Sequence, residues 1–290
     1  MASIIPPAST TCTIPTASTT CTIPKIVFTY WEGDQLSYLH YYTILSLVKL
    51  NPGMEIRIYT AKVPSNTVVQ WSSGEHSVRI QRTIPLKEIC AISPDIQLIP
   101  IDFEKDYSIT RDVSVVYKAD FIRIAKLYEH GGLWFDFDLL FIKPLPSRLF
   151  ETGHDMIIFV YHRTIPTGFL SSTPKNKYIT NLYTNALERI KGGNIGEYQH
   201  IGPDLWKTTI LHSLDTNVAI LENDIAYPYM PEDCSLFFNS NTDLCTDSTI
   251  CIHWFNGSTS AKQYINTVDF LNINPAQSVC SKYVHMISNL

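Results

Sequence analysis

Two aspartates interrupt an otherwise apolar stretch near the middle of this 290-residue chain. Asp136 and Asp138 stand within GLWFDFDLLFI (residues 132–142), which has the composition of a buried strand. A carboxylate in such a strand is costly unless a partner neutralises it. Residues i and i+2 of a strand point to the same side, so the two carboxylates face one way and repel each other. A divalent cation keeps both ionised, so the pattern predicts an oxygen-ligand site for Mg²⁺ or Mn²⁺ at the end of this strand.

A helical pattern precedes the strand. Apolar residues recur at helical spacing over residues 115–129, and Gly131-Gly132 ends the helix because glycine takes positive φ freely. Asp120 and Arg123 lie three residues apart, so they are neighbours on the helix surface. One interpretation is a surface ion pair of little energetic weight. The other is a functional pair, because this helix leads directly into the aspartate-bearing strand.

The rest of the chain alternates strand and helix patterns, which implies an α/β sheet with crossover helices. Ligands of open α/β sheets bind beyond the carboxyl ends of the strands. Trp31, Asp136, Asp138 and His253 fall at predicted strand ends, so we expect them to converge. The predicted strands are residues 25–30, 55–59, 155–160 and 250–254, and the predicted helices are residues 36–50, 175–191 and 197–212. Residues 61–113 are expected to mix short helices and loops.

The first residues contain an exact repeat, ASTTCTIP, at 8–15 and again at 17–24. The repeat is rich in Ser, Thr and Pro and carries no charge. We therefore expect residues 1–23 to be a disordered leader and residues 24–290 to be one domain. Within the repeat, Ile23-Pro24 is the part expected to join the fold.

Composition excludes several classes of protein. A net charge of −5 and a pI near 6 leave no basic surface for nucleic acid. No run approaches 18 apolar residues, and the amino end has neither a charged nor an apolar signal region. We expect a soluble cytoplasmic protein, free or peripheral to a membrane, or a chain that has lost an anchor. Seven cysteines without a C-x-x-C pair favour reduced thiols, although Cys234, Cys245 and Cys251 could pair in an oxidising compartment.

The stretch from Ala119 to Pro144 resembles the signature of glycosyltransferases with a DXD sugar-binding region. A lone D-x-D recurs by chance, whereas the combination A-D-x-x-R-x-x-x-L-Y-x-x-G-G-x-W-x-D-x-D is specific. Similar chains include bacterial capsular polysaccharide synthesis proteins, fungal α-1,6-mannosyltransferases and α-1,4-galactosyltransferases, with the large clostridial glucosylating toxins more distant. The resemblance implies a GT-A-type nucleotide-diphospho-sugar transferase fold, with a mostly parallel central sheet flanked by helices.

The resemblance also implies a metal site. Asp138 is expected to bind the cation directly, and Asp136 to contact the ribose or to reach the cation through water. His253 is the candidate third ligand through a neutral imidazole. Thr259 stands where relatives often have a tryptophan, which leaves a plain core histidine as the alternative for His253.

A donor site is implied by the same family. Asp120 and Arg123 match the positions that hold the donor sugar, and with Asp138 they are the expected catalytic residues. Trp31 is expected to flank the nucleotide base, with a core tryptophan as the alternative. Residues 200–203 (His-Ile-Gly-Pro) resemble a turn near the acceptor, where backbone could approach substrate closely, or a plain helix break.

These observations predict a metal-dependent, retaining glycosyltransferase. It would move a hexose from a nucleotide-sugar donor, with a UDP-sugar favoured over GDP-mannose, to a hydroxyl of a glycan, glycoprotein or polysaccharide. No nucleophile or base stands at a recognisable spacing. Neither is needed if the acceptor hydroxyl attacks the sugar on the same face from which the nucleoside diphosphate departs. The alternatives are a non-catalytic nucleotide-sugar-binding protein, a toxin-like protein glycosyltransferase, and metal-dependent phosphodiester chemistry, for which further acidic ligands are lacking.

Overall fold

The computed structural model describes residues 22–66, 83–193, 200–211, 213–258, 261–262 and 273–290. Most of the predicted leader, residue 259 and parts of the predicted helix at 197–212 lie outside these ranges. Ile23 joins the fold as predicted, since it is buried and its backbone N–H donates to Phe150 O at 2.8 Å. The division into a leader and one domain stays a prediction.

A seven-stranded sheet forms the centre of the structure. Its order is β10-β8-β9-β6-β1-β3-β5, and every pairing is parallel except the two made by β9. The predicted α/β class with a mostly parallel sheet is therefore confirmed. The strands of the chain are β1 (Ile26–Trp31), β2 (Gln35–Ser37), β3 (Glu55–Ala61), β4 (Thr83–Pro85), β5 (Ile96–Ile101), β6 (Gly132–Phe135), β7 (Leu139–Phe141), β8 (Met156–Phe159), β9 (Phe169–Ser172), β10 (Val218–Leu221) and β11 (Cys251–His253).

Helices cover both faces of this sheet. Alternate strand residues point to opposite sides, and since both sets are apolar, each face has to be buried. Phe28 and Trp134 share one apolar core with α3, α4 and α5, whereas Val27 and Leu133 lie in a second core with α1. The helices are α1 (Tyr38–Leu50), α2 (Phe103–Tyr107), α3 (Val115–His130), α4 (Lys177–Gly192), α5 (Pro203–Ile210), α6 (Cys234–Asn239) and α7 (Val279–Ser288). Short 3₁₀ helices span Leu86–Ala91, Ser147–Leu149, Asn223–Ile225 and Pro231–Asp233.

Two glycines connect α3 to β6 at a crowded point. Gly131 has φ +69° and Gly132 has φ +106°, both in the region that disfavours side chains. A Cβ on Gly131 would lie 2.7 Å from Ser172 O, and one on Gly132 would lie 2.6 Å from Ile26 O. The predicted helix end is therefore confirmed, and the pair lets the chain enter the sheet directly beside β1.

The structure corrects the prediction of one strand over residues 132–142. β6 ends at Phe135, a turn holds Phe137 and Asp138, and the chain resumes as β7 outside the main sheet. β7 pairs with β11 in a separate two-stranded antiparallel ribbon, in which His253 lies opposite Leu139. The predicted late strand is thus real, but it does not belong to the central sheet.

Two other predictions need adjustment. The segment before α1 forms β2, which pairs with β4, so the helix begins at Tyr38. Within residues 200–211, helix α5 starts at Pro203, so Gly202-Pro203 begins a helix. The cysteines in the described part of the chain, including Cys234, Cys245 and Cys251, are free thiols. No helix in that part is both long enough and apolar enough to cross a membrane.

Candidate functional site

A cavity of about 670 Å³ opens at the carboxyl-terminal edge of the central sheet. Trp31 at the end of β1 and Asp136 just after β6 line it, because these parallel neighbours end at the same edge. β9 runs the other way, so Gly168, the residue before it, reaches the same edge. Gly168 O accepts the Asp136 backbone N–H at 2.7 Å. The predicted convergence at a sheet edge is therefore seen in this cavity.

Asp136, Asp138 and His253 lie together in the cavity wall. His253 Nε2 is 3.3 Å from Asp138 Oδ1 and 3.8 Å from Asp136 Oδ2. Three ligand atoms, one from each residue, lie within 4.8 Å of one another. The β7–β11 ribbon brings them together, since the Trp254 backbone N–H donates to Asp138 O at 2.9 Å. Asp138 therefore precedes a strand, contrary to the prediction that it ends one.

Each carboxylate in this cluster has one oxygen committed to the protein. Asp136 Oδ1 accepts from Arg123 Nη2 at 2.8 Å and from Trp134 Nε1 at 2.7 Å. Asp138 Oδ2 accepts from the Asn256 backbone N–H at 2.7 Å. The other two oxygens, Asp136 Oδ2 and Asp138 Oδ1, remain directed at the imidazole.

The two carboxyls differ in their electrostatics. Burial opposes ionisation of Asp136, but the Arg123 guanidinium, the nearby His253 imidazole and the hydrogen bond from Trp134 hold its pKa well below the usual range. Burial, reinforced by the charge of Asp136, raises the pKa of Asp138. Burial lowers the pKa of His253, but the two carboxylates outweigh it, and the net shift is upward.

Gly168 keeps the space in front of the cluster open. A Cβ at this position would lie 2.9 Å from both Asp136 Oδ2 and His253 Nε2. The open space and the donor set of two carboxylate oxygens and one imidazole nitrogen fit a divalent cation such as Mn²⁺ or Mg²⁺. Asp136, Asp138 and His253 could therefore hold a metal ion.

The Asp120–Arg123 pair is buried beside this cluster, so its interpretation as a surface ion pair is wrong. Arg123 Nη1 donates to Asp120 Oδ1 at 2.6 Å and to Thr167 Oγ1 at 2.6 Å, and the guanidinium carbon lies 4.8 Å from the Trp134 ring centre. Arg123 thus bridges Asp120 and Asp136 from a fixed position. Burial, opposed by Arg123 and reinforced by Asp136, raises the pKa of Asp120 to about 6.

The Gly202-Pro203 turn closes over the Asp120 carboxylate. A Cβ on Gly202 would lie 2.6 Å from Asp120 Oδ2, so the start of α5 is packed directly against that oxygen. The backbone of this turn therefore approaches Asp120 closely, and its approach to a substrate stays a prediction.

Trp31 lies on another side of the cavity. Its ring centre is 4.7 Å from that of His40 and 4.9 Å from that of Phe137, and its buried indole N–H has no partner among the described residues. The side chain is part of the cavity lining while it packs against these rings. All six residues predicted for the site therefore line one cavity: Trp31, Asp120, Arg123, Asp136, Asp138 and His253.

Sequence reasoning missed Thr167 and Gly168, which hold Arg123 and Asp136 in place. The tripeptide Pro166-Thr167-Gly168 was the available signal, since glycine next to a short apolar run marks a close backbone approach. Asn256, whose backbone N–H donates to Asp138, was also missed.

Comparisons with known proteins agree with this geometry. The family described as glycosyltransferase sugar-binding region containing DXD motif matches residues 39–158. No curated protein sequence matches the chain significantly. The PaToxG glycosyltransferase structure aligns at TM-score 0.50 with 15% identity, covering 67% of this chain and 70% of that one.

Two further solved structures resemble the chain. The galactosyltransferase LgtC, in complex with donor and acceptor sugar analogues, aligns at TM-score 0.47 with 12% identity over 91% of this chain and 95% of its own. The glycosyltransferase GlyE of Streptococcus pneumoniae TIGR4 aligns at 0.39 with 16% identity, covering 69% of this chain and 46% of its own. The mostly parallel α/β sheet has a GT-A-type glycosyltransferase fold, and the segment that carries Asp120, Arg123, Asp136 and Asp138 matches the glycosyltransferase family whose sugar-binding region contains a DXD motif.

Proposed function

We propose that the chain transfers a hexose from a nucleotide-diphosphate donor to a hydroxyl of a glycan, glycoprotein or polysaccharide, with a divalent cation and with retention of the anomeric configuration. One observation carries the proposal. The Asp136–Asp138–His253 cluster and the buried Asp120–Arg123 pair line a single cavity of about 670 Å³, within the volume range of small-molecule sites.

Asp136 Oδ2, Asp138 Oδ1 and His253 Nε2 would hold the cation, Mn²⁺ or Mg²⁺. When bound, the cation supplies positive charge that stabilises the nucleoside diphosphate as it leaves. The protein prepares this site by fixing the opposite oxygen of each aspartate, so that little reorganisation is needed on binding. Asp138 and the other two side chains are thus proposed as the metal ligands.

The donor would lie across the cavity between Trp31 and Asp120. Asp120 accepts hydrogen bonds from hydroxyls of the hexose, and Arg123 orients Asp120 and Asp136 at the same time. Trp31 flanks the base, a contact worth about 1–3 kcal/mol when a base stacks on an aromatic ring. Nothing in these contacts selects uracil over guanine, and the preference for a UDP-hexose rests on family resemblance.

Retention is supported by the state of the acids in the cavity. Among the described residues, the carboxylates that line it are Glu32, Asp120, Asp136 and Asp138. Asp136 and Asp138 belong to the proposed metal site. Asp120 is paired with Arg123 and lies against Gly202. Glu32 is bound by Lys118 and Tyr30. None of the four is left free to act as the general base of an inverting displacement or as the nucleophile of a double displacement. Attack on the departing face, with the leaving phosphate taking the acceptor proton, requires no protein nucleophile.

The test is nucleotide release from a panel of UDP- and GDP-hexoses with Mn²⁺, with and without chelator. We expect slow hydrolysis of one donor, abolished by chelator and reduced at least about 100-fold in Asp138→Asn, which removes one charged ligand while keeping the shape. Asp247→Asn, an exposed residue outside the cavity, is the matched control and should match the wild type.

Three outcomes would each contradict part of the proposal. Near-normal turnover by Asp138→Asn at saturating Mn²⁺ would contradict the assignment of Asp138 as a metal ligand. No release from any donor by the folded protein would refute the donor class. Once an acceptor is found, proton NMR of the glycoside decides the stereochemistry, and an inverted anomer would refute retention.

A further inference from the structure

A second buried ion pair lies at the cavity, outside the proposed metal and sugar contacts. Lys118 Nζ is 3.2 Å from Glu32 Oε2, and the two side chains are only 6% and 7% exposed. Glu32 also lines the cavity. Buried charges of this kind are costly to desolvate, so an ion pair retained at such a place calls for a specific role.

The acceptor capacity of Glu32 is already filled. Tyr30 Oη donates to Oε2 at 2.6 Å, the Ser65 backbone N–H donates to Oε1, and Lys118 Nζ lies within 3.4 Å of both oxygens. A carboxylate has about four acceptor positions on its two oxygens, and these contacts occupy them. Glu32 therefore has no position left for a ligand hydroxyl, and its charge is neutralised.

The pair joins three separate segments of the cavity wall. Glu32 directly follows Trp31 at the end of β1, and Lys118 lies on α3 two residues before Asp120. Lys118 Nζ also donates to Val63 O at 3.2 Å, and Ser65 belongs to the same segment after β3. The Trp31 side of the cavity is thus tied to the helix that carries Asp120.

We infer that Glu32 and Lys118 are positioning residues that set the spacing between the two ends of the donor site. The inference rests on the proposed function, because it assumes that the nucleotide lies at Trp31 and the hexose at Asp120. Losing the pair leaves every proposed ligand-contacting side chain in place but frees one end of the site from the other. Donor affinity should then fall, while the rate of the bound complex changes little.

The experiment uses Glu32→Gln, Lys118→Met and the double variant in the full chain. Lys118→Met leaves a buried carboxylate uncompensated, so its melting temperature should fall most, and the double variant should recover part of that loss. We expect the affinity for UDP with Mn²⁺, measured by calorimetry with GDP in parallel, to weaken at least about tenfold in all three variants. The KM for the donor should rise by a similar factor, with kcat within about threefold of wild type.

The double variant separates positioning from stability. If its affinity for UDP with Mn²⁺ returns to the wild-type value together with its melting temperature, the pair is only structural and the inference is wrong. Lys126→Met is the matched control, since it removes an ion pair with Glu129 on the same helix but away from the cavity. Its donor affinity should match the wild type.

Hydrogen exchange tests the pair without any ligand. In Glu32→Gln the amide of Ser65 should exchange at least about tenfold faster than in the wild type, because it loses a charged acceptor. An unchanged rate would overturn the inference even if no nucleotide binds. A wild-type chain that binds neither UDP nor GDP would instead refute the proposed function, so the two failures are distinguishable.

Discussion

Replacing Gly168 with alanine is the sharpest test of the proposed metal site, because the change adds one methyl group at the centre of the cluster. The φ of Gly168 lies outside the left-handed region, so alanine can adopt its backbone conformation. The added carbon would nevertheless lie 2.9 Å from Asp136 Oδ2 and 2.9 Å from His253 Nε2. These are two of the three atoms that we propose as ligands.

The size of the effect follows from these distances. Ordinary contact for a Cβ begins at 3.4 Å, so each ligand atom has to retreat by about 0.5 Å. Metal–ligand distances tolerate changes of only about 0.2 Å. We therefore expect the affinity for Mn²⁺ to fall about 10- to 100-fold, equivalent to about 1.4–2.8 kcal/mol.

Two measurements check this prediction. Calorimetry gives the Kd for Mn²⁺, and donor hydrolysis is followed as Mn²⁺ is raised, which should restore part of the lost rate in Gly168→Ala. Gly192→Ala is the control, since a Cβ there would meet no described atom within 4 Å and its φ is ordinary. The melting temperature of Gly168→Ala should stay within a few degrees of wild type. Wild-type Mn²⁺ affinity in Gly168→Ala would refute the assignment of these ligand atoms.

Two further predictions separate the sugar site from the metal site. In Gly202→Ala the added Cβ would lie 2.6 Å from Asp120 Oδ2. We therefore expect the KM for the donor to rise at least about tenfold while the affinity for Mn²⁺ is unchanged. If the affinity for Mn²⁺ weakens together with the donor KM, the sugar site and the metal site are not separate. The affinity for Mn²⁺ should also fall as pH drops from 8 to 6, because the cation competes with a proton on His253, whose pKa the neighbouring carboxylates raise above its ordinary value although burial opposes them. The slope should approach about tenfold per pH unit for each proton displaced, and calorimetry showing no pH dependence would contradict the proposed ligands.

Sequence patterns predicted the elements that are defined by local chemistry. Helix α3 has a sustained helical period, Gly131-Gly132 supplies the positive φ values at its end, and β6 is continuously apolar. These features place Asp136 at a strand end without any knowledge of the tertiary structure. A candidate metal-binding pair was predictable for the same reason, because two acids in an apolar run require a compensating partner.

What could not be predicted depends on contacts between distant segments. His253 was expected at the site, but it reaches the aspartates through the register of β7 with β11 outside the central sheet, which neither short strand specifies alone. Glu32 and Lys118 are 86 residues apart, and Gly202 meets Asp120 only after α5 has packed on the same core as α3. The antiparallel β9, four residues long, carries no periodic signal that would have separated it from a loop.

The turn between β6 and β7 explains how this apolar run carries two acids. Phe135 and Phe137 both pack into the core beneath the sheet, so the alternation of the strand continues through the turn. Asp136 and Asp138 are consequently presented to the cavity, which the edge of Phe137 also lines. Because the flanking phenylalanines anchor the turn, the carboxylates do not need to fold around a cation to become ordered. In this alternating run, the buried phenylalanines therefore hold the turn in place, and the aspartates between them supply the charge that would bind the metal.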